Sequence, residues 1–402
     1  MKISFAGNKM NKASENKKIL FVIPYFAPAW SYGGPVRVTF DFAKELTRMG
    51  NSVTVVTTDV LDSKQRNKKL REKIEGIQVI RFKNFNNKLA KNFNLYIPVG
   101  MKKWLDLNIK NYDVIHIHEF FTYQSIITGR ICHKLNKKYV FQPHGSLFSA
   151  ARKSKFYTIK NFIIKRFASL ALNSSAVIVL NEKEKKGVLE ILPQIKSKIE
   201  IVPNGLDLSE YWNIKPADVR KSYGIPHKDK IIVFIGRIHR QKGLDISLKV
   251  LSKIKDRLSF TFLIIGPDEG ERANIERLAR RLGLQDRIIF TGLLSGIKKL
   301  EILKSADLSL LNSRSEGLPT SLLESAALGL PIVCSLESNL PTVEKFKAGF
   351  VVKGESKAAE SIKIILKDGN LHSKLSKNAL KLAESYNIKD LAIILKDIYN
   401  TK

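Results

Sequence analysis

Four side chains with spacing suited to anion and diol chemistry sit in two short stretches. In FIGRIHRQKGLD, Phe234 to Asp245, a hydrophobic run ends on a glycine. It gives way at once to Arg237, His239, Arg240 and Lys242, then Gly243 and a helical pattern. In an open α/β sheet, ligands bind beyond the C-terminal ends of the strands. A helix starting there adds free N–H groups and the positive end of its dipole. Arg237 would fork onto two phosphate oxygens and Lys242 would add a point charge, so the pair fits a diphosphate. The G-x-x-x-x-G-K-[ST] loop is absent from the chain. In SRSEGLPTSLLESAALGLPIV, Glu316 precedes a helix and Glu324 lies within it. Gly317 lets backbone approach a ligand closely, and Pro319 suits a helix start. The amides of residues 317–321 would face that ligand, while Glu324 would accept hydrogen bonds from a diol.

These groups need a scaffold, and the hydrophobic pattern supplies one twice over. KKILFVIPYF reads as a strand, Gly33-Gly34-Pro35 breaks it, and VRVTFDFAKELTRMG follows as an amphipathic helix with Gly50 as its stop. NSVTVVTTD is the next strand, which completes a βαβ unit and implies parallel pairing. Further strands are expected at IQVIRF, DVIHIH, KYVFQP, AVIVL and KIEIVP. The second half repeats the logic with strands at IIVFIG, FTFLIIG, RIIFTG, DLSLLNS and PIVCS, and with helices between them. Nearly continuous apolar runs are what strands covered on both faces require. The fold class is therefore α/β, with two doubly wound, Rossmann-like domains. The turn at Pro203-Asn204-Gly205 marks the boundary. Residues 1–17 read as an extension, 18–204 as the first domain and 205–384 as the second.

Composition narrows the classes. The 402 residues are 44% hydrophobic and 26% charged, and no run of uncharged apolar residues is long enough to span a bilayer. Cys132 and Cys334 lie far apart without metal spacing and read as buried thiols of a cytoplasmic protein. The net charge is +32, most of it in the first 200 residues, with 36 Lys and Arg against 14 Asp and Glu. Between Glu119 and Glu182 there are ten basic residues and not one carboxylate. Such a surface attracts anions, whether nucleic acid, anionic lipid or a phosphorylated substrate. No RNP-like, helix-turn-helix or zinc pattern supports a nucleic-acid-binding protein. His116 and His118 alternate along a strand beside Glu119, but strand geometry gives the two imidazoles no third ligand.

G-R-x(4)-K-G followed by E-G-L-P-x-S-x-x-E-x-x-A-x-G-x-P resembles the retaining nucleotide-sugar glycosyltransferases of family four, which have the two-domain GT-B fold. The resemblance runs over roughly residues 18–395. GGP at 33–35, the H-x-H of DVIHIHE, the H-G of FQPHGSL and the P-N-G of VPNGLD fall in the expected order. It implies that Arg237 and Lys242 hold the donor diphosphate and stabilise it as leaving group. Glu324 would bind the ribose hydroxyls. Glu316 would lie beside the transferred sugar, with the amides of Gly317 and Leu318 on its hydroxyls. His144 would face the reacting sugar, and Gly33 and Gly34 would form the loop opposite the diphosphate and acceptor. It further implies a hexosyltransferase that uses a UDP- or GDP-sugar with retention of configuration. The final helix, in 385–402, would pack back on the first domain. No D-x-D occurs, so no metal and no cofactor is expected. SLESNLPTVEK departs from the family's glycine-rich turn, with Asn339 in its place, which leaves donor preference open.

On this reading the basic first domain takes the acceptor, a carbohydrate or a lipid-linked glycan for surface polysaccharide or lipopolysaccharide assembly. NFNLYIPVGMKKWLDLNIK and the stripe Phe156, Ile159, Ile163, Phe167 and Leu170 are either core-facing or rest on an anionic membrane as a peripheral contact. The alternatives are a sugar-nucleotide epimerase or a phosphorylase of similar architecture, or a basic protein that binds nucleic acid or membrane without catalysis.

Overall fold

The computed structural model describes residues 16–62, 64–93, 95–145 and 168–401. Two α/β domains are built on separate sheets. The first sheet contains β1 (Lys18–Val22), β2 (Ser52–Thr58), β3 (Arg71–Ile74), β4 (Ile77–Phe82), β5 (Val114–His118), β6 (Val140–Gln142), β7 (Ala176–Val179) and β8 (Ile199–Ile201). Its order is β3-β4-β2-β1-β5-β6-β7-β8. The second contains β9 (Lys230–Ile235), β10 (Phe260–Ile265), β11 (Ile288–Gly292), β12 (Leu308–Leu311), β13 (Ile332–Ser335) and β14 (Gly349–Val352), in the order β11-β10-β9-β12-β13-β14. All pairs in the second sheet are parallel. The strand order reverses at β9, and the crevice beyond its C-terminal end is where such sheets take ligands.

The sequence explains most of this. The β1 run is buried after its first residue, and β10 is buried throughout, as strands covered on both faces must be. The helix Gly34–Arg48 carries Pro35 in its first turn, and Gly50, at φ +91°, turns the chain just after it. Two strands lie outside the sequence reading. β3 pairs antiparallel with β4 at the sheet edge, and its charged residues hide it from a hydrophobic pattern. Glu75 and Gly76, at φ +48° and +84°, make the two-residue hairpin between them. β14 is only four residues long and follows a turn at Lys347.

The chain crosses between domains twice, side by side. Leu206 N–H donates to Tyr386 O at 2.9 Å, and Ile388 N–H donates to Leu206 O at 2.9 Å. The last helix, Ile388–Thr401, then buries Ile388, Leu391, Leu395 and Tyr399 among Phe21, Phe42 and Val55 of the first domain. Ion pairs brace the same junction. Lys44 Nζ lies 3.2 Å from Asp207 and 3.3 Å from Glu210, while Arg48 lies 3.0 Å from Asp207 and Arg37 also pairs with Glu210. The expected extension falls almost wholly outside the described residues, as do Phe156, Ile159, Ile163 and Phe167. Of that apolar stripe Leu170 is described, and it is buried in the core.

Candidate active site

A cleft of about 640 Å³ lies between the domains. Gly33, Gly34, Arg37 and His144 line it from the first domain, and Arg237, Lys242, Lys299, Glu316, Gly317, Leu318 and Glu324 from the second. All nine residues singled out in the sequence for catalysis or donor binding therefore share one cavity. His239 and Arg240 do not line it. His239 Nδ1 instead accepts from Gln241 N–H, and the Arg240 carbonyl accepts from Arg314 at 2.7 Å.

The cation loop is fixed from behind. After β9 the chain makes a tight turn over Arg240–Lys242, and Gly243 sits at φ +65° before the helix Leu244–Ser252. A Cβ at Gly243 would lie 1.9 Å from the Asn312 carbonyl oxygen, so only glycine lets the two loops touch. Gln241 donates to Ser315 O at 2.7 Å, and Arg314 grips Asp245 with both terminal nitrogens at 2.8 and 2.6 Å. The loop carrying Lys242 and the loop carrying Glu316 thus move as one piece.

Within the cleft each charge has a partner. Lys242 Nζ lies 2.7 Å from Glu316 Oε1, which also accepts from Ser313 Oγ at 2.6 Å. Lys299 Nζ lies 2.8 Å from each oxygen of Glu324. Arg237, more exposed, pairs with Glu269 at 2.7 Å. The carbonyls of Gly317 and Leu318 are tied down: Gly317 O accepts from Asn181 at 2.7 Å and Asn339 at 2.6 Å, and Leu318 O accepts from Asn204 at 3.2 Å. Among the described residues neither amide of Gly317 or Leu318 donates, so both remain for a ligand. They precede the helix Thr320–Ala327, whose dipole points the same way.

The first domain closes the other wall. A Cβ on Gly34 would lie 3.4 Å from Thr320 Oγ1, and one on Gly145 would lie 3.7 Å from Gly317 Cα. His144 and Gly145 form a turn at φ +50° and +78°, and Gly145 N–H donates to Glu184 Oε1 at 2.7 Å. Burial pushes the Glu184 carboxyl up to about 7 and the His144 imidazole down to about 3. Among the described residues no three His, Cys, Asp or Glu side chains cluster as metal ligands. Cys132 and Cys334 are free and buried.

Residues 32–210 match the model of Glycosyltransferase Family 4, and residues 217–382 match that of Glycosyl transferases group 1. The chain belongs to this glycosyltransferase family. The glycosyltransferase is 25% identical to an uncharacterized glycosyltransferase of Methanocaldococcus jannaschii, over 89% of this chain and 91% of that one. It is 26% identical to the UDP-Gal:alpha-D-GlcNAc-diphosphoundecaprenol alpha-1,3-galactosyltransferase of Escherichia coli, over 73% of this chain and 76% of that one. Against several other curated glycosyltransferases the chain spans about half of their length. In three dimensions it resembles HepE of Anabaena, solved in complex with UDP and glucose, with TM-score 0.76 at 16% identity. That match covers 96% of this chain and 100% of that one, and it establishes the GT-B fold of the glycosyltransferase.

Sequence reasoning missed Lys299, Glu269 and Asn181. Lys299 lies in a helix with three lysines, and nothing local separates it from the adjacent Lys298. Asn339, noted as a departure, takes φ +59° as a glycine would and adds two hydrogen bonds that a glycine lacks.

Proposed function

We propose that this glycosyltransferase moves a hexosyl unit from a UDP- or GDP-sugar to a carbohydrate or lipid-linked glycan acceptor, with retention of configuration. The observation that carries this reading is the meeting of Arg237, Lys242 and Glu324 in one cleft. The diphosphate lies against Lys242 and Arg237, which hold the charge that builds up as the bond to the sugar breaks. Glu324 accepts hydrogen bonds from the ribose diol. The amides of Gly317 and Leu318 meet sugar hydroxyls, and His144 faces the sugar from the other wall.

Retention follows if the acceptor oxygen attacks C1 from the face the diphosphate leaves. The C1–O bond to phosphate breaks, the bond to the acceptor forms, and the acceptor proton passes to a leaving phosphate oxygen. Glu316 suits this route better than a covalent one, because its Oε1 is already engaged by Lys242 and Ser313. The charge on the two cations makes the reaction independent of added metal, and full activity after treatment with a chelator is the expected result.

A membrane-bound acceptor fits the surface next to the cleft. Phe85 N–H donates to Ile97 O and Val99 N–H to Lys83 O, both at 2.9 Å, so these segments form a narrow ribbon. Phe85, Leu95 and Val99 on it, and Leu107 on the helix Met101–Asn108, are exposed. Lys83, Lys88, Lys102 and Lys103, near them in sequence, are exposed as well. An anionic bilayer would receive such a surface, each nearby lysine adding about 1 kcal/mol. Tyr96, beside Leu95, packs edge-on to Tyr32 of the cleft wall. The similarity to a galactosyltransferase named for a diphosphoundecaprenol substrate favours a lipid-linked acceptor of this class.

The test is a screen of UDP- and GDP-sugars by thermal shift, followed by product analysis with glycan-diphosphate lipid acceptors. A donor that raises the melting temperature and yields free nucleoside diphosphate only when acceptor is present supports the reading. Conversion of the donor into an isomeric nucleotide-sugar, with no nucleoside diphosphate formed, would point to an epimerase.

A further inference from the structure

Three imidazoles run inward from the cleft. His144 lines it, and its Nε2 lies 2.9 Å from Nδ1 of His118. Their rings stack with centroids 5.2 Å apart. His118 stacks in turn on His116 at 4.0 Å, and Nδ1 of His116 lies 2.7 Å from the Tyr399 hydroxyl of the last helix. Phe21 packs against both rings and keeps them dry. Among the described residues, Nε2 of His116 and Nε2 of His118 have no hydrogen-bond partner. Burial holds all three imidazoles below their usual range, so each is neutral and carries one N–H.

Where those protons sit follows from the cost of orphaned groups. A buried N–H without an acceptor is rarer and costlier than a buried lone pair without a donor. His118 therefore keeps Nε2 bare and carries its proton on Nδ1, which donates to Nε2 of His144. With Nε2 accepting, His144 must carry its own proton on Nδ1. The backbone reinforces the placement, because the left-handed turn at His144 is clamped by Glu184 through the Gly145 amide.

We infer that His118 is a positioning residue that fixes His144 as its Nδ1–H tautomer, so that His144 offers the cleft a hydrogen-bond donor and not a base. This deepens the transferase reading and rests on it for the identity of the acceptor atom, a hydroxyl oxygen of the transferred sugar. It also removes His144 as the group that takes the acceptor proton.

The experiment has two arms on the full chain. In the first, protein labelled with ¹⁵N-histidine is studied by two-bond ¹H–¹⁵N correlation, with His144→Gln assigning the ring. Protonated Nδ1 and bare Nε2 on His144 are expected, and a protonated Nε2 overturns the inference. This arm needs no turnover, so a chain that transfers no sugar would defeat the transferase reading and leave the tautomer result standing. In the second arm, His118→Asn keeps an N–H donor near the Nδ1 position and His118→Leu removes it. His118→Leu should lower kcat by about 10- to 100-fold with little change in donor KM, the scale of one buried hydrogen-bonding group left without its partner. His118→Asn should recover most of that loss. Equal losses in the two variants, tracking their unfolding midpoints, would show a structural role only and overturn the inference.

Discussion

Lys242 Nζ and Glu316 Oε1 are 2.7 Å apart across the floor of the cleft, joining the β9 loop to the loop before Thr320. Both side chains are mostly shielded from solvent, so the pair is screened less than a surface ion pair. On the proposed reading a donor diphosphate shares this ammonium with Glu316.

Replacing Lys242 by alanine removes a cation from the leaving group and leaves a carboxylate unpaired. Lys242→Ala should lower kcat by about 10²–10³-fold, the usual cost of one preorganised charge-stabilising donor. Its unfolding midpoint should change far less. Steady-state kinetics beside urea unfolding separates the two, and an undiminished kcat would remove Lys242 from the mechanism.

Much of this site is legible in the sequence because its residues are tied to strand ends. Arg237 follows the last glycine of an apolar strand, and Glu316 and Glu324 flank a Gly-Leu-Pro helix start, so spacing alone places them. Lys299 and Asn181 are invisible for the opposite reason. Each reaches its partner across a long sequence gap: Lys299 to Glu324 from another helix, and Asn181 to Gly317 from the other domain. β3 escapes because an edge strand of charged residues carries no buried face to read.

Asn339 offers a test of conformation against hydrogen bonding. Its φ of +59° costs an alanine about 1–2 kcal/mol. The lost bonds to Glu316 O and Gly317 O cost roughly 1 kcal/mol more. Asn339→Ala should therefore lose more stability than Asn339→Gly, which sheds only the hydrogen bonds. Denaturant midpoints decide it, and the reverse order would contradict the assigned role of the left-handed turn.

His116 should carry an acid-sensitive share of the first domain's stability. The folded pKa of His116 is lowered by burial, so between that value and the ordinary 6.5 the unfolded chain binds the extra proton. Stability is then present above 6.5 and falls as pH drops below it, by up to about 1.4 kcal/mol per pH unit for one such group. Glu119, Glu184 and Asp41, each pushed up to about 7 by burial, act in the opposite sense between their ordinary carboxylate values and 7. His116→Gln should flatten the acid side of the stability curve relative to the parent. Parallel curves from pH 7.5 to 5 would show that His116 does not titrate on unfolding.

The cleft's claim on a nucleotide-sugar rests finally on Glu324, buried and gripped by Lys299 through both oxygens. The most direct measurement is calorimetric titration of UDP and GDP into the parent chain and Glu324→Gln. One of the two nucleotides should bind the parent at one site. The variant should bind it roughly 10- to 100-fold more weakly, the equivalent of a lost charged hydrogen bond. Equal affinity in the two proteins, or no binding of either nucleotide to the parent, would contradict a donor site between Arg237, Lys242 and Glu324.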